Sequence, residues 1–264
     1  MTAVALDPRR LIGRATLHGL SHVGRFAYFF VGMVRTLGEW RIWVPRTFEQ
    51  GLHIGYGSLF IVLLTAGFAG AVTALQAGYQ FQSNLPVYIV GGLITQSIVL
   101  ELGPVLTALL LAGRIGARYA AELGTMRVTE QIDALESLGR SPASHLILPR
   151  VIAATVMLPV LVIFANLIGV LAGYVFSAIG NLHITGADFV YGARYFFRPW
   201  DLWYSMIKSV FFGLAVSVVP CYVGFTTKQG AEGVGRATTA AVVSASVLIL
   251  FLDALLAQLL LSNA

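Results

Sequence analysis

Apolar residues fill five long stretches of the chain, and short polar connections separate them. A helix needs about 20 mostly apolar residues to cross a bilayer, where it satisfies its own backbone hydrogen bonds. The pattern therefore predicts an all-α membrane protein with five transmembrane helices, at about residues 54–76, 87–117, 146–179, 203–225 and 239–261. The second and third stretches exceed one crossing and contain Gly103-Pro104, Pro149 and Pro159, so we expect kinks or tilt in both.

The first 48 residues have a different pattern, in which arginines alternate with apolar side chains. Their longest apolar run, FAYFFVGMV, is too short to span a bilayer, and Trp40 and Trp43 follow it. Arginine and tryptophan favour the interface between lipid headgroups and water. We therefore expect residues 1–48 to form a basic amphipathic helix in the membrane interface, with a soluble partner-binding helix as the alternative. Residues 49–264 then form one transmembrane domain.

A polar segment, RVTEQIDALESLGRSP, lies between the second and third apolar stretches. It predicts a short helix over residues 129–138, with Thr129 as its N-cap and Gly139 at its end. Its apolar residues, at positions 128, 132 and 135, form one narrow stripe, and its acidic residues face away. So short a helix needs a surface to pack on. That surface is the membrane or the chain's own bundle on one hypothesis, and a groove on a separate protein on the other.

Composition supports a membrane protein, since 57% of the residues are hydrophobic and only 11% are charged. Arginine and lysine fall mainly in the N-terminal segment, in the connection between spans two and three, and in that between spans four and five. The positive-inside rule then places the N-terminus in the cytoplasm and the C-terminus outside. A single cysteine, Cys221, excludes a disulfide within the chain.

Three ionisable residues fall inside the predicted spans and away from their ends: Glu101, Lys208 and Asp253. A charge in the bilayer is costly, so each is expected to face protein or water and to have a partner. We expect Lys208 to pair with Asp253, or with Glu101 if the second helix kinks, beside a path for lipid headgroups. The alternative is an ion pair that only fixes helix packing.

Motifs of catalysis and metal binding are missing from the sequence. It contains neither a GxxxxGK[ST] phosphate loop nor a GxSxG nucleophile elbow, so we expect no enzyme activity and no cofactor in this chain. His18 and His22 have a spacing that suits a metal, but no third ligand accompanies them. Neither a metal nor a nucleic acid is an expected ligand.

Two runs of sequence resemble the MlaE/YrbE family, the permease subunits of ABC transporters that handle phospholipids in the Gram-negative envelope. They are ELGPVLTALLLAGRIGARYAAELGTMRVTEQIDALESLG, from Glu101 to Gly139, and GFTTKQGAEGVGRATTAAVV, from Gly224 to Val243. The similarity extends from about residue 9 to the end of the chain. It implies a permease that moves phospholipid between the inner membrane and a periplasmic lipid-binding partner and so maintains outer-membrane lipid asymmetry.

The resemblance also implies partners and site residues. The segment around residues 130–138 would be the coupling helix held by an ABC ATPase subunit, which carries the ATP and Mg²⁺. A second copy of the chain, a STAS-domain subunit and a periplasmic MCE-domain protein would complete the complex in the bacterial inner membrane. The implied ATPase-coupling residues are Arg127, Thr129, Glu130, Gln131, Ile132, Asp133, Leu135 and Glu136.

Two other functions remain open on the residues alone. Buried carboxylates such as Glu101 and Asp253 often carry protons, which favours an ion-gradient-driven secondary transporter of an amphiphile. That hypothesis predicts activity without any ATPase. A structural membrane anchor predicts that transport survives mutation of every polar residue in the spans.

Overall fold

A computed structural model describes residues 21, 24–80, 86–179, 184–228 and 230–261, and these residues are helical with no strand. The short helices are α1 (24–35), α4 (Gln131–Ser137) and α6 (Gly186–Phe196). The long ones are α2 (Trp40–Gln80), α3 (Tyr88–Val128), α5 (Ala143–Ile179), α7 (Pro199–Phe225) and α8 (Gly230–Leu261). These five are long and apolar enough to span a membrane, which confirms the predicted all-α class and the number of spans.

The long helices extend beyond the apolar stretches that predict them. α2 begins at Trp40 rather than near residue 54, and α3 continues to Val128 rather than ending near residue 117. Polar residues in these extensions have partners on neighbouring helices, as in the hydrogen bond of 2.8 Å from Arg46 to the carbonyl oxygen of His145. Such contacts stabilise helix outside the hydrocarbon region.

The N-terminal segment is described only in part, because residues 1–20, 22 and 23 lie outside the described ranges. In α1, Phe26 and Phe29 pack edge-on against Tyr222 of α7, with ring centroids 5.2 and 5.5 Å apart. Residues 40–48, which the sequence pattern places in this segment, continue into α2. The position of the segment in the membrane interface stays a prediction.

The bundle has two ends of different character. Helices α2 and α5 run parallel, because Gly51 of α2 lies by Met157 of α5 and Gly70 lies by Gly169. α3 runs the other way, since Glu122 meets Arg150 at one end of the bundle. We call the end with residues 114–150 the basic end. The opposite end, with the aromatic-rich residues 184–203, is the aromatic end.

Close contact between α2 and α5 depends on small residues. A Cβ atom added to Gly70 would lie 2.0 Å from the carbonyl oxygen of Gly169, a distance that no side chain tolerates. Gly169 and Gly173 also allow a close approach of α5 to α3, because added Cβ atoms there would meet Ile98 and Ile94 at 2.9 and 2.7 Å. These glycines bring three helices together in the middle of the bundle.

Gly70→Ala should therefore lower the free energy of unfolding by about 1–3 kcal/mol, because α2 must move away from α5. Gly67→Ala is the matched control in the same helix, since its Cβ atom would sit 3.7 Å from Ile168 in ordinary contact. That control should be neutral, or stabilising by up to about 1 kcal/mol, because alanine favours helix. Thermal unfolding of both variants in detergent checks the difference, and equal stability would contradict the close packing.

Candidate functional site

The three ionisable residues of the spans meet in one cluster, which we call the charged triad. The ammonium nitrogen of Lys208 lies 2.8 Å from a carboxylate oxygen of Glu101 and 2.5 Å from one of Asp253. Sequence reasoning expected Lys208 to choose one of these partners, whereas the structure pairs it with both. Lys208 is fully buried, and the side chains of Glu101 and Asp253 are 44% and 22% exposed. The triad therefore connects the protein interior to the surface of the single chain.

A π-helical turn positions Glu101 in the triad. Residues Ile98–Leu102 form this turn directly before the Gly103-Pro104 pair. Pro104 has no N–H and cannot donate to the carbonyl of Leu100 four residues earlier. That oxygen accepts a hydrogen bond of 3.3 Å from Lys208 instead. The kink expected at Gly103-Pro104 thus takes the form of a turn that frees a backbone acceptor, and such turns recur at functional sites.

Polar neighbours that sequence reasoning missed extend the triad. The Tyr204 hydroxyl lies 3.1 Å from the Lys208 ammonium and 3.3 Å from a Glu101 oxygen. Asn166 lies on the neighbouring helix α5, and its side-chain amide donates a hydrogen bond of 3.1 Å to the hydroxyl of Ser205 in α7. Tyr204 precedes Lys208 by one helical turn, and this spacing was the available signal. Asn166 carried no comparable signal, because only the packing of α5 on α7 brings it there.

A second group of charges lies at the basic end. Glu122 of α3 accepts from Arg118 at 2.6 Å and from Arg150 of α5 at 3.1 Å. Arg150 is 5% exposed, and its guanidinium lies 5.6 Å from the centre of the Tyr119 ring. Arg118 and Glu122 pair within α3 at the i, i+4 spacing, whereas Arg150 reaches Glu122 from α5. These residues join the two helices that flank the polar segment.

Arg114 links two of the long helices. It lies in a second π-helical turn, Ala112–Gly116, and donates to the carbonyl oxygen of Gly57 and, at 2.8 Å, to the hydroxyl of Ser58. Both acceptors belong to α2. Arg114 thus connects α3 to α2 at the basic end.

The polar segment forms α4 as predicted, but its start differs from prediction. Thr129 does not cap α4, because its hydroxyl donates back to the carbonyl oxygen of Thr125 at 2.8 Å and ends α3. The chain changes direction at Glu130, which has a φ of 60°. Among the described residues, Glu130 is the non-glycine residue with a left-handed backbone. The predicted end at Gly139 is confirmed, since its φ is 72°. α4 therefore spans Gln131–Ser137 and follows a sharp, strained turn.

α4 packs on the bundle through a small contact. Ile132 is fully buried, and Val128 and Leu135 are half-buried, as the apolar stripe predicts. Arg127 forms an ion pair with Asp133, and its guanidinium lies 5.8 Å from the Phe225 ring at the end of α7. Three further predicted coupling residues, in α4 and directly before it, are exposed: Glu130, Gln131 and Glu136. This arrangement leaves a polar surface free while fixing α4 to α3, which Arg127 in turn links to α7.

An apolar groove lies between α5 and α6 at the aromatic end. It has a volume of about 490 Å³ and is lined by apolar side chains, with Arg194 as the charged residue of its lining. Its shape and lining suit an acyl chain. Among the described residues no group of histidine, cysteine and acidic side chains could hold a metal, and His18 and His22 lie outside those residues.

Comparisons with known proteins agree with this architecture. The family described as Permease MlaE matches residues 47–259. A probable ABC transporter permease protein of Rickettsia felis is 38% identical over 248 residues, which cover 94% of this chain and 95% of that protein. Another, of Synechocystis sp., is 40% identical over 229 residues, 86% of each chain. The chloroplastic protein TRIGALACTOSYLDIACYLGLYCEROL 1 of Arabidopsis thaliana is 38% identical over 235 residues, 86% of this chain and 63% of that protein.

The family match covers most of the described bundle, from the first turns of α2 to the end of α8. The relatives cover the same region and carry the name of ABC transporter permeases. The five helices that are long and apolar enough to cross a membrane agree with a membrane protein of this kind. This chain belongs to the MlaE permease family and is a membrane transport subunit rather than an enzyme.

Proposed function

We propose that this chain moves phospholipid between the bacterial inner membrane and a periplasmic lipid-binding protein, and that a separate ATPase drives the movement. The observation that carries the proposal is α4, an exposed polar helix held between α3 and α5, which are among the longest helices. A partner that binds α4 can move both helices. The Arg127–Asp133 pair joins α4 to α3, and the Glu122–Arg150 pair joins α3 to α5. The Arabidopsis relative is named for a glycerolipid, which supports a lipid substrate.

The orientation follows from the same helix. An ATPase uses cytoplasmic ATP, so the basic end with α4 faces the cytoplasm and the aromatic end faces the periplasm. The positive-inside rule supports this orientation. In the proposed complex two copies of the chain meet, an ATPase with ATP and Mg²⁺ binds each α4, a STAS-domain subunit joins on the cytoplasmic side, and an MCE-domain protein receives lipid at the aromatic end.

The charged triad is proposed to lie beside the lipid path. Glu101 and Asp253 reach the surface of the single chain, so a second copy or a headgroup can meet them there. Lys208 holds the two carboxylates together from inside. Tyr204, Asn166 and Ser205 are buried and extend the hydrogen-bond network behind the triad.

The proposal is tested by reconstituting the purified chain in vesicles with and without its co-purifying subunits. Transfer of a labelled phospholipid should require the ATPase subunit and ATP, and a proton gradient alone should support none. The ion-gradient hypothesis, which the carboxylates of the triad favour, predicts the reverse. Full transfer by the isolated chain under a gradient would therefore overturn the proposal. Mass spectrometry of lipids and subunits that co-purify identifies the cargo and partners.

A further inference from the structure

A polar pocket opens between α2 and α5 at the basic end. Its volume is about 230 Å³, and its lining includes Arg46, Glu49, Gln50, His145, Pro149 and Arg150. The other grooves between these helices are apolar, so this pocket has an unusual concentration of charge. It is separate from the charged triad, which lies between α3, α7 and α8.

Two charges of this pocket lack a protein counterion in the described ranges. Arg46 uses one nitrogen of its guanidinium for the carbonyl of His145 at 2.8 Å, and no carboxylate lies within 4.0 Å of that group among the described residues. Glu49, one turn further along α2, is exposed and forms no ion pair with a described residue. A cation and an anion thus line one cavity without pairing with each other.

The surroundings add positive charge. Arg150 also lines the pocket and is joined to Glu122 and Arg118, a group of two guanidiniums and one carboxylate. This group has a net charge of about +1 because both guanidiniums remain protonated. The field at the pocket therefore favours an anion near Arg46 and Arg150, and Glu49 attracts a cation at the exposed rim.

The next turns of the same two helices place the pocket relative to the bilayer. An apolar groove of about 370 Å³ follows there, and Phe48, Leu52 and Tyr56 in its lining are 73%, 72% and 89% exposed. Such exposed apolar side chains belong in contact with hydrocarbon. Trp40 and Trp43, one to two turns before the pocket, are residues of the interface. The pocket thus lies where headgroups meet acyl chains.

We propose that this pocket binds the zwitterionic headgroup of a phospholipid in the leaflet at the basic end. The lipid phosphate accepts hydrogen bonds from the guanidinium of Arg46, and the headgroup ammonium pairs with the carboxylate of Glu49. Guanidinium is the side-chain group best matched to phosphate oxygens. The apolar groove receives an acyl chain. This site goes beyond the proposed transport function and does not depend on an ATPase or on the direction of transfer.

The test measures lipid binding to the purified full chain in detergent, without nucleotide or partner, by native mass spectrometry. The probes are short-chain phosphatidylethanolamine and phosphatidylglycerol, with inorganic phosphate as competitor. The unmodified chain should prefer phosphatidylethanolamine. Arg46→Gln should weaken binding of both lipids about tenfold, the effect expected for one charge-assisted hydrogen bond. Glu49→Gln should abolish the preference and leave phosphatidylglycerol binding intact.

Matched controls separate the pocket from general surface charge. Arg35→Gln and Glu39→Gln make the same charge changes at exposed positions before α2 and should leave both affinities unchanged. Equal binding by Arg46→Gln and the unmodified chain, or displacement of lipid by inorganic phosphate, would overturn the proposal. So would a Glu49→Gln variant that keeps its preference. A separate purification of the native complex tests a protein contact. If Arg46→Gln retains lipid but no longer co-purifies with the ATPase, the pocket is a protein contact and the proposal is wrong, although transport by the chain would still stand.

Discussion

Lys208→Met should lower the free energy of unfolding by about 3 kcal/mol or more, because it leaves the carboxylates of Glu101 and Asp253 without their cation. Both oxygens lie within 2.8 Å of the Lys208 ammonium, which is fully buried. Methionine fills a similar volume, so the loss reflects charge rather than a cavity. Thermal unfolding in detergent, followed by tryptophan fluorescence, measures the change.

Two variants control this experiment. Arg194→Met removes an equal charge at an exposed position of the aromatic end and should change stability little. The triple variant Lys208→Met, Glu101→Gln and Asp253→Asn removes all three charges and should regain most of the lost stability, since no carboxylate then remains unpaired. If Lys208→Met alone unfolds like the unmodified chain, the ion pairs do not stabilise the bundle.

The triple variant also separates two roles of the triad. If the triple variant is stable and assembled and transfers lipid at the normal rate, the triad only fixes helix packing. That result would contradict the proposed role beside the lipid path. A stable variant that has lost transfer would support a direct role for the charges. The single Lys208 variant cannot make this distinction, because loss of folding and loss of transport coincide in it.

The five spans were predictable because hydropathy and length alone decide whether a helix can cross a bilayer. Their ends were not, because tertiary contacts decide where a helix stops. Arg46 extends α2 through the carbonyl of His145, and Glu122 extends α3 through Arg150. The partner of Arg46 lies about one hundred residues away in sequence, and the partner of Glu122 lies about thirty residues away. No local pattern reports such a pairing.

The members of the triad were predictable for a related reason. A charge within an apolar stretch is costly enough that it signals a partner, although not which partner. The π-helical turn before Pro104 could not be predicted from the sequence, since a proline indicates a disturbed helix without specifying its form. The error at Thr129 has a local cause. α3 continues to Val128, so the threonine hydroxyl bonds back to Thr125 rather than forward into α4.

Asp133→Arg should reduce ATP-driven lipid transfer about tenfold, the size of a typical coupling free energy between two sites. Hydrolysis by the bound ATPase should continue. The pair of Asp133 with Arg127 joins α4 to α3, and the side chains are 52% and 36% exposed. An exposed ion pair contributes at most about 1 kcal/mol to stability. The unfolding temperature should therefore change little while coupling is lost.

The matched control is Glu232→Arg, which reverses an acidic residue in the first turn of α8. Glu232 lies just after the connection between α7 and α8 and is 86% exposed, so it tests whether added positive charge at the basic end disturbs transfer by itself. Transfer should remain near normal in this variant. Equal losses in the two variants would contradict a specific role for α4.

The double variant Arg127→Asp with Asp133→Arg then locates the lost interaction. If the ion pair inside the chain transmits motion from α4 to α3, exchanging the charges restores the pair and with it most of the transfer. If Asp133 contacts the ATPase directly, the double variant stays inactive, because the partner still meets the wrong charge. Either result places α4 in the coupling path. Full transfer by Asp133→Arg alone would remove α4 from that path, because Arg127 would then face a repelling charge at the joint through which the motion must pass.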